Sequence, residues 1–178
     1  MFRRDPLANP EALIRRVYAY VAYRIGDGPD AEDVTSEVFE RALRYRDSYD
    51  ARRGDAAAWL VGIARRCIHD FHVQREEPRA NPPEPADTAD VEGQTVRRLM
   101  LSHAVARLGA SDRELLALRF GADLTARQVA EVLETQTNTV EVALHRALAR
   151  LRDILGESPD AEEVTGLPSP GFEARNRL

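Results

Sequence analysis

The sequence predicts an all-α protein with two small helical domains joined by a Pro-rich acidic linker, the second domain ending in a helix-turn-helix. Apolar residues recur at three- and four-residue spacing along most of the chain, whereas the alternating pattern of a strand is nearly absent. An abrupt change of composition, "EEPRANPPEPADTADVEGQ", separates two such periodic regions. Near the end, "LTARQVAEVLETQTNTVEVALHRALARL" has the pattern of a short helix, a tight turn and a longer helix.

The first predicted domain, residues 10–77, holds three helices. The first helix carries an apolar face and ends at the glycines and proline of "GDGPD"; that face is formed by Leu13, Val17, Tyr20, Val21 and Ile25. The second has Asp30 as its expected cap and an apolar stripe of Val34, Val38, Ala42 and Tyr45, widened by Phe39 and Leu43. The third follows the polar loop "RDSYDARRGD" and buries one side formed by Trp59, Leu60, Ile63, Ala64, Cys67, Ile68 and Phe71.

Residues 78–95 are predicted to form a flexible linker. The stretch has four prolines and a single large apolar residue, Val91, so it cannot bury enough surface to offset its chain entropy. Residues 156–178, "GESPDAEEVTGLPSPGFEARNRL", are expected to form a disordered tail.

The second predicted domain, residues 96–155, begins with a helix marked by Val96, Leu99, Met100 and Val105. "SDRE" at Ser111–Glu114 and "TARQ" at Thr125–Gln128 both have the spacing of a capping box, in which the first and fourth residues cap each other. Gly121 is expected to terminate the helix between them. The last helix is expected from about Asn138 to Leu155.

The charge of the chain limits how it could bind nucleic acid. Its 178 residues include 25 arginines, no lysine and 30 acids, for a net charge of -5. Non-specific DNA binding scales with the number of phosphates neutralised, so a protein that coats DNA unaided is excluded. Residues 97–155 are mildly basic, however, with nine arginines and seven acids.

Cysteine usage and hydropathy exclude other classes. Cys67 is the single cysteine, so neither an intrachain disulfide nor a cysteine-based zinc site is expected. The pair His69 and His72 could bind a metal, but more readily marks the exposed end of a helix, and no cofactor or metal is predicted. No apolar run approaches the ~20 residues that span a bilayer, and "MFRRDPLANP" lacks a signal-peptide core. A cytoplasmic protein is therefore expected.

Three motifs, in this order, resemble the extracytoplasmic-function (ECF) group of bacterial RNA polymerase sigma factors. "AEDVTSEVFERAL" (Ala31–Leu43) is similar to the family's polymerase-clamp helix. "AAWLVGIARRCIHDF" (Ala57–Phe71) is similar to its promoter-reading helix, and "TVEVALHRALARLR" (Thr139–Arg152) to its recognition helix. The resemblance covers about Pro10 to Leu155.

The resemblance implies a non-enzymatic sigma factor that binds core polymerase and directs promoter recognition, DNA melting and transcription initiation. The implied partners are bacterial core RNA polymerase, promoter DNA and an anti-sigma factor. Since the core polymerase supplies most of the duplex contacts, an acidic chain can serve this function. The acidic linker suits a basic polymerase channel, although a plain solvated tether fits the composition equally well.

The resemblance also assigns three sets of site residues. Those expected to bind core polymerase are Glu32, Asp33, Phe39, Arg41 and Arg44, with core packing as the alternative for Phe39. Those expected at the -10 element are Tyr49, Arg52, Arg53, Arg65, Arg66 and His69. Those expected at the -35 element are Arg127, Thr137, Asn138, Thr139, Glu141 and Arg146. Asn and Glu can read base edges, whereas arginines contact phosphates and position the domain.

The chain departs from the family pattern around the helix-turn-helix. Glu134 stands where the family usually has Gly at the turn, Glu141 stands in place of a basic or small residue, and Ala143 stands where the family often has Arg. If the turn requires a positive φ at Glu134, the residue costs about 1 kcal/mol. These changes predict promoter binding that is weak, salt-sensitive or unusual in sequence. Two alternative functions remain open, a helix-turn-helix transcription regulator and a sigma-like protein-interaction adaptor.

Overall fold

The computed structural model describes residues 5–52, 54–76 and 94–156, and within these ranges the protein is all-α, as predicted. The helices are α1 (Pro10–Ile25), α2 (Pro29–Tyr45), α3 (Ala56–Glu76), α4 (Gln94–Arg107), α5 (Ala110–Leu116), α6 (Ala126–Val132) and α7 (Thr137–Gly156). A 3₁₀ turn over Arg46–Ser48 follows α2, and a π-helical segment over Ala117–Gly121 continues α5. Most of the predicted linker and of the tail lies outside these ranges, but the linker prediction ran two residues too far, since α4 already begins at Gln94.

Helices α1 to α3 form the N-terminal bundle. Pro10 opens α1, where its missing N–H is not needed, and Gly26, with φ +100°, ends it as predicted. The expected cap of α2 is wrong: Gly28 precedes the helix, Pro29 opens it, and Asp30 instead accepts a hydrogen bond from Arg75 Nη1 at 2.6 Å.

The apolar stripe of α2 is narrower than the sequence pattern. Val34, Val38 and Ala42 are buried, whereas Leu43 is 59% and Tyr45 53% exposed. These two positions lie beyond the faces that α1 and α3 cover, so assigning them to the core was wrong.

Helices α4 to α7, with the π-helical segment, form the C-terminal bundle. The capping box at Thr125 is confirmed, since Thr125 Oγ1 accepts from Gln128 N at 3.3 Å and Gln128 Oε1 accepts from Thr125 N at 2.8 Å. The one at Ser111 is wrong, because α5 starts at Ala110 after Gly109 and has no side-chain cap.

The two bundles share one continuous apolar cluster. Helix α1 packs against α2 and α3 on one side and against the π-helical segment and α5 on the other. Fully buried Tyr20 of α1 lies in this cluster together with Leu116 and Leu118. None of the helices in the described ranges is long and apolar enough to cross a membrane.

Candidate polymerase and promoter interfaces

Helix α2 presents an open face on the side away from the core. Glu32, Asp33 and Arg44, three of the predicted polymerase contacts, are exposed on it. Leu43 lies beside Arg44 and is 59% exposed, so it adds an apolar contact that the sequence pattern had assigned to the core. A charged surface with one large apolar side chain results.

The other two predicted polymerase contacts are placed differently. Phe39 is half-buried against the apolar cluster. Arg41 donates from Nη2 to Asp70 Oδ2 at 2.8 Å and also pairs with Glu37. The hydrogen bond to Asp70 raises the pKa of Arg41. Arg41 thus ties α2 to α3 in the free protein.

The loop before α3 is closed by its own contacts. The Tyr49 hydroxyl donates to the Gly54 carbonyl at 3.2 Å, and the Tyr49 ring lies 5.5 Å from that of Trp59, tilted by 57°. Arg52 is paired with Asp50 at 3.1 Å, although its side chain is 84% exposed. Arg53 lies outside the described residues. An aromatic pair beside an exposed arginine is a suitable surface for an unstacked base.

Helix α3 carries the three remaining -10 candidates, Arg65, Arg66 and His69. Arg66 and His69 are exposed and line a shallow groove together with Arg41 and Asp70. Arg65 also lines this groove, but its guanidinium extends to the C-terminal bundle, where Nη1 donates to the Val132 carbonyl at 3.1 Å. The structure therefore brings the three residues to one groove, and Arg65 alone of them is held by the other bundle.

The helix-turn-helix presents the predicted reading positions. Val140 and Ala147 of α7 are buried, and Leu144 is 9% exposed, which fixes the rotation of the helix. The opposite side exposes the predicted contacts Thr137, Asn138, Thr139, Glu141 and Arg146. Val142, 44% exposed among them, was not predicted, and its branched side chain can contact a thymine methyl group.

The turn between α6 and α7 carries the strain that the sequence indicated. Glu134 has φ +53°, in the left-handed region. The Thr135 N–H donates to the Ala130 carbonyl at 2.9 Å, which closes the turn. A β-carbon at this φ crowds the following carbonyl, so glycine is the residue best suited to this position.

The charges near the recognition helix are mixed. Arg127 is 82% exposed and pairs with Glu131 at 3.1 Å, four residues along α6. Exposed pairs of this kind contribute about 0–1 kcal/mol, so Arg127 can exchange Glu131 for a phosphate at little cost. Glu134 and Glu141 are exposed nearby and repel phosphates.

Comparison with known proteins identifies the family. Models of Sigma-70 region 2 and Sigma-70 region 4 match residues 11–77 and 98–151. Curated ECF sigma factors of Mycobacterium tuberculosis are similar: SigL is 30% identical over 165 residues, covering 84% of this chain and 93% of SigL. SigD is 32% identical over 151 residues, covering 77% of this chain and 70% of SigD. The chain belongs to the ECF sigma factors.

Other similar proteins differ in length or share only the fold. BldN of Streptomyces coelicolor is 33% identical over 147 residues, which cover 78% of this chain and 56% of BldN, so the chain spans little more than half of that relative. The sigma factor RpoE of Bartonella quintana, solved with the anti-sigma factor NepR, has a TM-score of 0.62 at 19% identity, covering 82% of this chain and 93% of RpoE. CnrH, solved with the cytosolic domain of CnrY, has a TM-score of 0.57 at 22% identity and 84% coverage of both chains. These two show the same fold.

Proposed function

We propose that this ECF sigma factor binds core RNA polymerase and directs promoter recognition, DNA melting and transcription initiation, with no catalytic role of its own. The observation that carries the proposal is the presence, in one chain, of a charged open face on α2 and a helix-turn-helix with exposed polar reading positions. A regulator that never joins polymerase needs the second feature but not the first.

Each surface has a separate role in this proposal. Residues 10–77 form the domain that binds polymerase and the -10 element, with Glu32, Asp33 and Arg44 on polymerase. Residues 96–155 form the domain that reads the -35 element. There Asn138 can pair with adenine and Glu141 can accept from the amino group of cytosine.

An anti-sigma factor is the third partner that we propose. The sigma factor RpoE, which has the same fold, was solved in complex with the anti-sigma factor NepR, and this supports such a partner here. The proposed location is the cytoplasm, where core polymerase and DNA are found. Residues 78–95 are proposed as the tether between the two domains.

Polymerase binding is tested by co-elution of the purified chain with bacterial core RNA polymerase on size exclusion at two salt concentrations. The double variant Asp33→Ala/Leu43→Ala removes one charge and one exposed apolar side chain from α2, and should abolish co-elution. Val73→Ala on α3 is the matched control, because Val73 is also exposed, at 49%, but lies off the α2 face. Failure of the unchanged protein to co-elute at low salt would contradict the proposal.

A second candidate function is a sigma-like adaptor with weak DNA binding. The exposed acids Glu131, Glu134 and Glu141 around the recognition helix favour it, since they repel phosphates. Core binding without transcription from any promoter of a genomic library would distinguish the adaptor from the sigma factor.

A further inference from the structure

The two bundles are in closest contact where the backbone of α1 meets the π-helical segment. A Cβ added to Gly121 would lie 2.8 Å from both N and Cα of Tyr20 and 3.0 Å from the carbonyl carbon of Ala19. The opposing atoms are helix backbone, which cannot rotate away. The φ of Gly121 is not positive, so its conformation does not require glycine. The missing side chain therefore serves the close approach of α1.

A second contact is centred on the carboxylate of Glu114, which is only 13% exposed. Its Oε1 accepts a hydrogen bond from the Tyr20 hydroxyl at 2.9 Å. Its oxygens also form ion pairs with Arg24 Nε at 2.8 Å and Arg65 Nε at 3.3 Å. Burial and the negative charge of Glu114 raise the pKa of Tyr20, so the hydroxyl keeps its proton. All three partners belong to the N-terminal bundle.

Carbonyl groups of the C-terminal bundle complete the contact. Arg16 of α1 donates from Nε to the Ala122 carbonyl at 2.7 Å and from Nη2 to the Asp123 carbonyl at 3.0 Å. Arg65 reaches the Val132 carbonyl as well as Glu114. The docked arrangement thus combines a glycine-dependent backbone contact with a network of charged hydrogen bonds.

The docked arrangement is too small to contact two promoter elements at once. Elements centred about 25 base pairs apart are separated by about 85 Å at ~3.4 Å per base pair. A compact chain of this length has a radius of gyration of about 16 Å, or roughly 40 Å across. The 17 residues between Glu76 and Gln94 would reach about 60 Å if fully extended. Both elements can therefore be bound only after the bundles part.

We propose that docking of the C-terminal bundle on α1, through Gly121 and Glu114, is an autoinhibitory contact of the free protein that must open before polymerase and promoter are bound together. The inhibitory role rests on the proposed function. When a ligand binds only the open form, its apparent affinity equals the affinity of the open form multiplied by the fraction of molecules that are open. Neither Gly121 nor Glu114 belongs to a proposed binding surface, but Glu114 pairs with the -10 candidate Arg65, so the Gly121 variant isolates the effect of docking.

Small-angle X-ray scattering of the full chain tests the docking without polymerase. Gly121→Ala and Glu114→Gln should raise the radius of gyration from about 16 Å to above 20 Å, as expected when two compact bundles separate. Gly156→Ala is the control for the first variant, because a Cβ there meets nothing within 4 Å. Asp112→Asn is the control for the second: Asp112 is also in α5 and 16% exposed, but pairs with Arg150 of its own bundle.

Circular dichroism separates opening from unfolding. Alanine favours a helix over glycine, so Gly121→Ala should keep the helical signal and a cooperative melt. If that variant fails to fold, the radius of gyration of Glu114→Gln, compared with that of Asp112→Asn, still tests the docking. An unchanged protein with a radius above 20 Å, or two folded variants as compact as their controls, would overturn the docking.

Binding of a genomic DNA-fragment library to the complex of the chain with core polymerase tests the inhibitory role, because the α2 face is already exposed in the docked form. Complexes of both opened variants should bind the fragments at least three-fold more tightly than complexes of the unchanged protein and of the two controls. Opened variants with unchanged DNA affinity would overturn autoinhibition. If no form binds polymerase while scattering still shows opening, the proposed function fails together with the inhibitory role, and the docking contact itself stands.

Discussion

Replacing Glu134 by glycine should stabilise the protein. Glu134 occupies the turn between α6 and α7 with φ +53°, where an L-residue is strained. Its side chain is exposed, so its removal creates no cavity. Relief of the backbone strain should therefore dominate the change in the free energy of unfolding.

The expected size follows from two opposing terms. A left-handed conformation costs a non-glycine residue about 1–2 kcal/mol. Glycine lowers the free energy of unfolding by about 0.5–1 kcal/mol, because it has more conformational freedom in the unfolded chain than other residues. The net stabilisation is about 0.5–1 kcal/mol, which corresponds to a rise in Tm of about 1–4 °C for a protein of this size.

Thermal melts followed by circular dichroism measure the shift, with Glu134→Gln as the matched control. Glutamine removes the charge but keeps the β-carbon, so its Tm should stay close to that of the unchanged protein. A glycine variant that melts no higher than the glutamine variant would refute the strain argument. A rise shared by both would assign the effect to charge.

Three further changes have defined outcomes. Thr125→Ala removes the confirmed capping box and should cost about 1 kcal/mol in thermal or denaturant melts, whereas Ser111→Ala, where no box forms, should leave the free energy of unfolding unchanged. Burial raises the pKa of the Cys67 thiol to about 11, so a thiol reagent at pH 8 should label the native protein far more slowly than the unfolded one. Because the native state holds this proton more tightly, the free energy of unfolding should also fall as the pH rises from about 9 towards 11. Glu141→Gln should raise the affinity for a random-sequence DNA duplex about two-fold at low salt, because one negative charge ~8 Å from a phosphate in water costs ~0.5 kcal/mol. Glu11→Gln, a change of charge on α1, is the control. A gain in affinity that persists at high salt would contradict a charge effect.

The order of the helices could be predicted because their apolar periodicity extends over long stretches. Val140, Leu144 and Ala147 fix which side of α7 is buried, and that alone predicts which polar residues are exposed. The capping box at Thr125 was predictable because both of its partners lie within one turn. Local signals are sufficient wherever the competing contacts are also local.

Two of the predictions that failed, both of helix caps, involve residues that pair with distant partners. "SDRE" has the same spacing as "TARQ", but Glu114 accepts from Tyr20 and pairs with two arginines of the other bundle instead of capping its own helix. Asp30 likewise pairs with Arg75, 45 residues away. Spacing along one helix carries no information on such partners. The same reason explains why the orientation of Arg65 could not be foreseen.

The arginines of the proposed DNA surfaces differ in how easily they can exchange a glutamate of the protein for a DNA phosphate. This difference couples DNA binding to the docking of the two bundles. Arg127 is 82% exposed beside an exposed glutamate, so it can change partners without any rearrangement. The side chain of Arg65 is 43% exposed, but its guanidinium pairs with a carboxylate that is only 13% exposed and donates to the Val132 carbonyl, so exchanging these partners for a phosphate removes contacts between the bundles. By thermodynamic reciprocity, a strand that binds Arg65 must weaken docking by the same factor by which docking weakens its binding. Single-stranded DNA should then expand the unchanged protein in scattering, and should bind the Gly121→Ala variant more tightly by that same factor. Equal affinity for both forms would mean that the strand contacts Arg66 and His69 without Arg65.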